Sequence, residues 1–176
     1  MSEKNANLEI ERKYLVRKED LPTNYKKYDK CKIEQSFICL KPAIRIRKAD
    51  NKFYLTVKSR PINTKNLKDD LVRNEYEIEI DKKAYKFLKK KIDGRTIFKT
   101  RYFIPYKHNK KKFLIELDIF EKELKGLIYA EVEFDNVKDA MSFDKPSWFY
   151  KDVTGIDRYK NTSLSICKDF SKLLSY

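Results

Sequence analysis

Alternation with a period of two limits most strongly what this chain can become, because successive side chains of an extended strand point to opposite faces. It recurs over seven segments. In the first, Glu9, Glu11 and Lys13 share one face while Leu8, Ile10, Tyr14 and Val16 share the other, with Arg12 an exception on the apolar side. Ala43 to Lys48 sets Arg45 and Arg47 against Ile44 and Ile46, and the next stretch sets Tyr54, Thr56 and Lys58 against Phe53, Leu55 and Val57. From Arg73 to Ile80, Glu75, Glu77 and Glu79 oppose Tyr76, Ile78 and Ile80. Further on, Lys99 and Arg101 alternate with Thr100 and Tyr102, Glu116 and Asp118 with Ile115, Leu117 and Ile119, and Glu131 and Glu133 with Ala130, Val132 and Phe134.

Helical spacing is confined to short stretches. Asp81 reads as the N-cap of a helix carrying Ala84, Tyr85, Phe87, Leu88 and Ile92 and stopped by Gly94. A second helix is expected over Val137 to Phe143 and a third over Ser163 to Leu174, with a polar loop around Asn63 to Asp70. The class read from this pattern is mainly β (α+β), an antiparallel sheet closed into a barrel with peripheral helices. At 176 residues, with 41% apolar side chains and no Pro/Gly linker, residues 1–176 read as one domain.

The charged faces are segregated by sign. Arg45/Arg47 and Lys99/Arg101 are basic doublets, whereas Glu75/Glu77/Glu79 and Glu131/Glu133 are acidic. Two like charges ~5 Å apart at an effective dielectric of ~20 repel by roughly 3 kcal/mol, so each patch favours a counter-charge. A cationic half facing a carboxylate half suits a metal-chelated polyphosphate, since Arg and Lys match phosphate oxygens and hard Mg2+ or Mn2+ prefers carboxylate oxygen. Alternation alone allows these faces to point into a barrel or out to solvent.

Other chemistries lack their parts. No GxxxxGK[ST] or GxGxxG stands in the chain, so phosphate must be held by side chains. His108, the single histidine, reads as a loop residue beside a lysine run, and neither a zinc site nor a histidine-based nucleophile is built around it. Cys31, Cys39 and Cys167 form no CxxC pair, which points away from a disulfide framework and towards a reducing cytoplasm. No apolar run approaches the length of a membrane span. A net charge of +14 calls for an anionic partner, but Lys89–Lys91 and Lys110–Lys112 fall at a helix end and a hairpin loop, as solvated lysines do, which disfavours nucleic acid.

The blocks Glu9-Ile10-Glu11-Arg12-Lys13, Arg45-Ile46-Arg47, Leu55-Thr56-Val57-Lys58, Glu75-Tyr76-Glu77, Lys99-Thr100-Arg101-Tyr102, Glu116-Leu117-Asp118 and Glu131-Val132-Glu133-Phe134 occur in an order that resembles the CYTH superfamily of triphosphate tunnel metalloenzymes. The resemblance covers roughly residues 7 to 165, including a closing segment with Trp148-Phe149, Val153-Thr154 and Arg158-Tyr159-Lys160-Asn161. It implies an eight-stranded antiparallel barrel whose charged faces line a tunnel, with triphosphate bound inside and Mg2+ or Mn2+ required. Carried over residue by residue, it implies Glu9, Glu11, Glu131 and Glu133 on the metal. Lys13, Arg45, Arg47, Lys58, Lys99 and Arg101 then contact phosphate, and Glu75, Glu77 and Asp118 position water at the metal. Glu79, Arg73 and Asp152 are read as structural ion-pair partners.

Within that family, small members opening with this block resemble inorganic triphosphatases, so hydrolysis of tripolyphosphate to pyrophosphate and phosphate is the activity implied. Nucleoside or thiamine triphosphate hydrolysis and a class IV-like adenylate cyclase are the enzymatic alternatives, and a polyphosphate or RNA-end binding module is the non-enzymatic one. Four residues depart from the family pattern: Ser36 and Phe37, since Gln35-Ser36-Phe37 stands where many members have Gln-Gly-Tyr, Tyr150 where Gly is common, and Ile156 where an acid is common.

Overall fold

The computed structural model describes residues 7–59, 71–108 and 111–174. The loop expected around Asn63 to Asp70 lies outside these residues. The seven alternating segments are strands β1 (Asn7–Leu15), β3 (Ala43–Ala49), β4 (Lys52–Ser59), β5 (Val72–Ile80), β6 (Asp93–His108), β7 (Lys111–Phe120) and β8 (Ile128–Glu133). An eighth, β2 (Lys30–Leu40), was not apparent in the alternation. Its burial breaks the period of two, since Gln35, Ser36 and Phe37 are buried in succession and the pairing register shifts around them.

All pairings are antiparallel, in the order β1-β8-β7-β6-β2-β3-β4-β5, and β5 returns to β1. β1 closes the barrel by dividing its partners: Asn7–Ile10 pairs with β5 and Glu11–Leu15 with β8. A two-residue strand, β9 (Lys151–Asp152), adds to the end of β1 at Tyr14 and Leu15. His108 is the last residue of β6, with its ring stacked 6.3 Å from Tyr106, and Lys111 and Lys112 open β7, so these belong to strands and not to the expected loop.

Helix α1 (Lys82–Lys89) starts where expected, with the Asp81 carboxylate accepting from the Ala84 N–H at 2.8 Å, but it ends before Ile92. Gly94 belongs to β6: it has φ +78°, and a Cβ there would lie 2.6 Å from the Ser165 carbonyl oxygen. Its role is to admit a neighbouring backbone. α2 (Val137–Ser142) lies within the expected span. The expected C-terminal helix is broken into α3 (Asn161–Ile166) and α4 (Ser171–Leu174), because Cys167 is extended and the Asp169 carboxylate caps Ser171.

The apolar core lies partly outside the barrel and partly in one end of its interior. Outward residues of β1 and β6 to β8, among them Tyr14, Ile104, Leu117 and Val132, pack with Phe134, Phe143 and Phe149. Leu15, Phe37, Ile97, Phe120 and Tyr129 pack at one end with Val153, Tyr159 and Leu164. Each fully buried Leu, Ile or Phe contributes ~1.5–3 kcal/mol, so these two clusters hold the fold while the rest of the barrel interior is lined largely by charged side chains. Arg12, the exception in β1, is bound outside by Asp152 at 2.5 Å and by the carbonyls of Ala140 and Phe143. That contact ties β1 to α2 and β9.

Candidate functional site

The inward faces enclose a cavity of about 1180 Å3, lined by Glu9, Glu11, Lys13, Arg45, Arg47, Lys58, Glu75, Glu77, Lys99, Arg101, Glu116, Glu131 and Glu133. The segregated charges, Glu79 excepted, therefore face one shared interior. The basic strands β4, β3 and β6, with β2 among them, form one wall and the acidic strands β7, β8 and β5 flank it, with cation–carboxylate contacts crossing where the two signs meet.

On one side, Lys58 donates to both oxygens of Glu9 at 2.5 Å and reaches Glu75 at 3.0 Å. Arg45 pairs with Glu75 at 2.8 Å, and Arg47 with Glu77 at 2.7 Å, while the buried Thr56 hydroxyl donates to Glu77 at 2.7 Å. Burial works against ionisation of Glu75, but Lys58 and Arg45 outweigh it and hold the carboxyl below its usual range.

On the other side, Arg101 donates to both oxygens of Asp118 and to Glu131 at 2.7 Å, and also pairs with Glu116. Lys99 shares Asp118. Lys13 meets Glu131 at 2.9 Å and Glu11 at 3.7 Å, and its ammonium lies 5.4 Å from the centre of the Tyr129 ring. Burial alone would discharge Lys13, yet Glu131 and Glu11 together raise its pKa and keep it an ammonium. The position where a phenol is common in the family holds Phe37, buried in the end cluster. Lys13 thus has carboxylate and ring partners.

Glu9, Glu11 and Glu133 differ from the other acids. Each offers an oxygen, and the three oxygens lie within 4.8 Å of one another, the one such carboxylate group among the described residues. Burial, then Glu131, raises Glu11 to about 8, and burial, then Glu116, raises Glu133 to about 7. Burial also raises Glu9, against Lys58. Carboxylates pressed together with too little neutralising charge, and offering only hard oxygen, fit a divalent cation of the Mg2+ type.

Glu131 stands apart from this triple, held well below the usual range because Lys13, Lys99 and Arg101 outweigh its burial. Asp118 is fully buried beneath Lys99 and Arg101 and does not line the cavity, so it positions those cations instead of reaching a ligand. Asp152 is outside, on Arg12, and Glu79 is exposed near Lys52 at 3.9 Å. Sequence reasoning left out four residues that shape the site. Glu116 lines the cavity opposite Glu131, and its place beside Asp118 on one inward face was a usable signal. Thr56 and Gln35 are neutral, and their signal was confined to their places in the Leu55-Thr56-Val57-Lys58 and Gln35-Ser36-Phe37 blocks. Arg73, taken as structural, also lines the cavity.

Fold and site define a class: a closed antiparallel tunnel barrel with cationic and carboxylate walls and an acidic triple suited to a divalent metal. No family model matches the chain. It is 35% identical over 123 residues to the inorganic triphosphatase of Nitrosomonas europaea, covering 70% of this chain and 74% of the relative. It is 33% identical over 122 residues to that of Acetivibrio thermocellus, covering 69% and 70%. A solved inorganic triphosphatase structure superposes with a TM-score of 0.61 at 31% identity, over 90% of this chain and 95% of that one. The chain belongs to the CYTH superfamily of triphosphate tunnel metalloenzymes, among the relatives named inorganic triphosphatases.

Proposed function

We propose that this protein hydrolyses inorganic tripolyphosphate to pyrophosphate and phosphate inside the barrel, with Mg2+ or Mn2+ held by Glu9, Glu11 and Glu133. The observation that carries this reading is the meeting of the carboxylate triple and the cationic walls in one cavity. When bound, the divalent ion neutralises phosphate oxygens and lowers the pKa of water. The remaining work falls to the chain. Arg45, Arg47, Lys58, Lys99, Arg101 and Lys13 bind and orient the phosphates and stabilise charge on the departing one, while Glu75, Glu77, Glu116, Glu131 and Asp118 fix the cations in place. Catalysis of this kind is positioning and electrostatics with no covalent intermediate.

Nucleoside or thiamine triphosphates form a second reading. It is favoured by the end of the cavity lined by Leu40, Pro42, Ile156, Tyr159 and Ile166, apolar walls that an organic group can contact. The three free cysteines agree with a reducing compartment such as the cytoplasm, and no helix among the described residues is long and apolar enough to cross a membrane. Phosphate release from tripolyphosphate, ATP and thiamine triphosphate, each with Mg2+ and with Mn2+, tests the assignment. Fastest turnover of tripolyphosphate is expected. Cyclic nucleotide from ATP would shift the reading to a cyclase, and salt-sensitive RNA binding without turnover would shift it to a binding module.

A further inference from the structure

Strand β2 runs through the middle of the basic wall yet brings no inward charge. Its inward residues Ile33, Gln35 and Phe37 line the cavity, with β3 and its Arg45 and Arg47 on one side and β6 and its Lys99 and Arg101 on the other. Gln35 is the one polar residue of the three, and it is 2% exposed. The register sets it directly across from Arg47, with Lys99 one inward position along β6 from its other neighbour, Ile97.

The Gln35 side-chain Nε2 is buried and has no hydrogen-bond partner, and the same is true of Nε in Arg45 and in Arg47. The tunnel carboxylates reach those arginines through Nη2, at Glu75 and Glu77. Three N–H donors on two adjacent strands therefore lack an acceptor, and being donors they cannot satisfy one another. Buried donors are usually paired, because an unpaired one loses its hydration without compensation. What fits these three is a ligand whose surface is all acceptor. A phosphoryl group is such a ligand.

We propose that Gln35 binds substrate, donating its side-chain amide to a phosphoryl oxygen held between Arg47 and Lys99. The assignment rests on the triphosphatase reading and adds to it a neutral contact on a wall otherwise built from cations. An amide supplies a donor whose charge does not depend on pH and which recruits no further carboxylate into the tunnel. It also leaves the net charge of the wall to the arginines and lysines.

The test compares the full-length wild type with Gln35→Met, which keeps length and shape but has no donor, and Gln35→Glu, which offers charge and acceptors only. Steady-state kinetics on tripolyphosphate, its affinity by calorimetry without added divalent metal, and melting temperature are measured for each. For Gln35→Met, a KM raised about tenfold is expected, with affinity weakened alike, kcat within about twofold and an unchanged or raised melting temperature, since an unpaired buried donor has gone. Gln35→Glu should lose about a hundredfold in affinity. Wild-type KM and affinity in Gln35→Met would overturn the proposal, as would a lowered melting temperature with KM unchanged, which marks a purely structural amide. A wild type that binds tripolyphosphate without turning it over would count against the hydrolase reading alone, and the affinity ratio would still decide the role of Gln35.

Discussion

At the scale of single residues, the site divides its carboxylates between two tasks that the sequence does not separate. Glu75, Glu116, Glu131 and Asp118 are tied to cations, whereas Glu9, Glu11 and Glu133 crowd one another, with Lys58 on Glu9 as the close cation of the triple. Replacing Glu133 by Gln keeps the shape and removes a charge from the proposed metal site, so metal-dependent turnover should fall at least about a hundredfold with the fold intact, as read by kcat and circular dichroism. Lys58→Ala should raise KM for tripolyphosphate more than it lowers kcat, measured by steady-state kinetics. The pH dependence has a definite sign. Glu11 at about 8 and Glu133 at about 7 hold protons in the metal-free folded protein that ordinary carboxylates near 4.5 have released, so these two groups make the protein less stable as pH rises between those values. A cation must displace those protons. The rise in melting temperature caused by Mg2+ should therefore be larger at pH 8.5 than at pH 6, and an equal rise at both would contradict the ligand assignment. Which charges face inward was legible in the alternation. Which of them pair was not, because pairing is set by cross-strand register.

At the scale of elements, charged residues on every second position made seven strands legible, and β2 escaped because its inward set is Ile33, Gln35 and Phe37 with Ser36 buried between them. Ser36 is not in the tunnel. Its hydroxyl lies 3.0 Å from that of Thr96 and accepts from Lys89 at 3.0 Å, so it fastens α1 to the barrel wall. Gly94 drew a helix-stop reading because glycine marks helix ends and close backbone approaches alike, and the contact that decides between them comes from Ser165, far along the chain. Gly94→Ala combines an unfavourable positive φ with a collision against backbone. It should cost about 2–4 kcal/mol by denaturant unfolding while leaving the tunnel residues unchanged. The break between α3 and α4 was likewise not legible, since Cys167 to Phe170 carries neither proline nor glycine to announce it.

For the whole molecule, the unusual division is between an apolar core, outside the barrel and plugging one end of it, and a charged lining along the rest of the interior. The lining is costly on its own, because burying ion pairs loses hydration that their attraction repays only with good geometry. Breaking one such network should show this. Arg101→Ala, which strands Asp118 without its bidentate partner, should destabilise the protein by about 3–5 kcal/mol in chemical denaturation as well as weakening substrate binding. The central claim is that carboxylate and cationic walls act together on one triphosphate. It is tested most directly by following inorganic tripolyphosphate with purified protein in Mg2+, in Mn2+ and in chelator, with products identified by phosphorus NMR. One phosphate and one pyrophosphate per tripolyphosphate, with release abolished by chelator, is the predicted result. Intact tripolyphosphate in the presence of both metals, or equal hydrolysis in chelator, would contradict it.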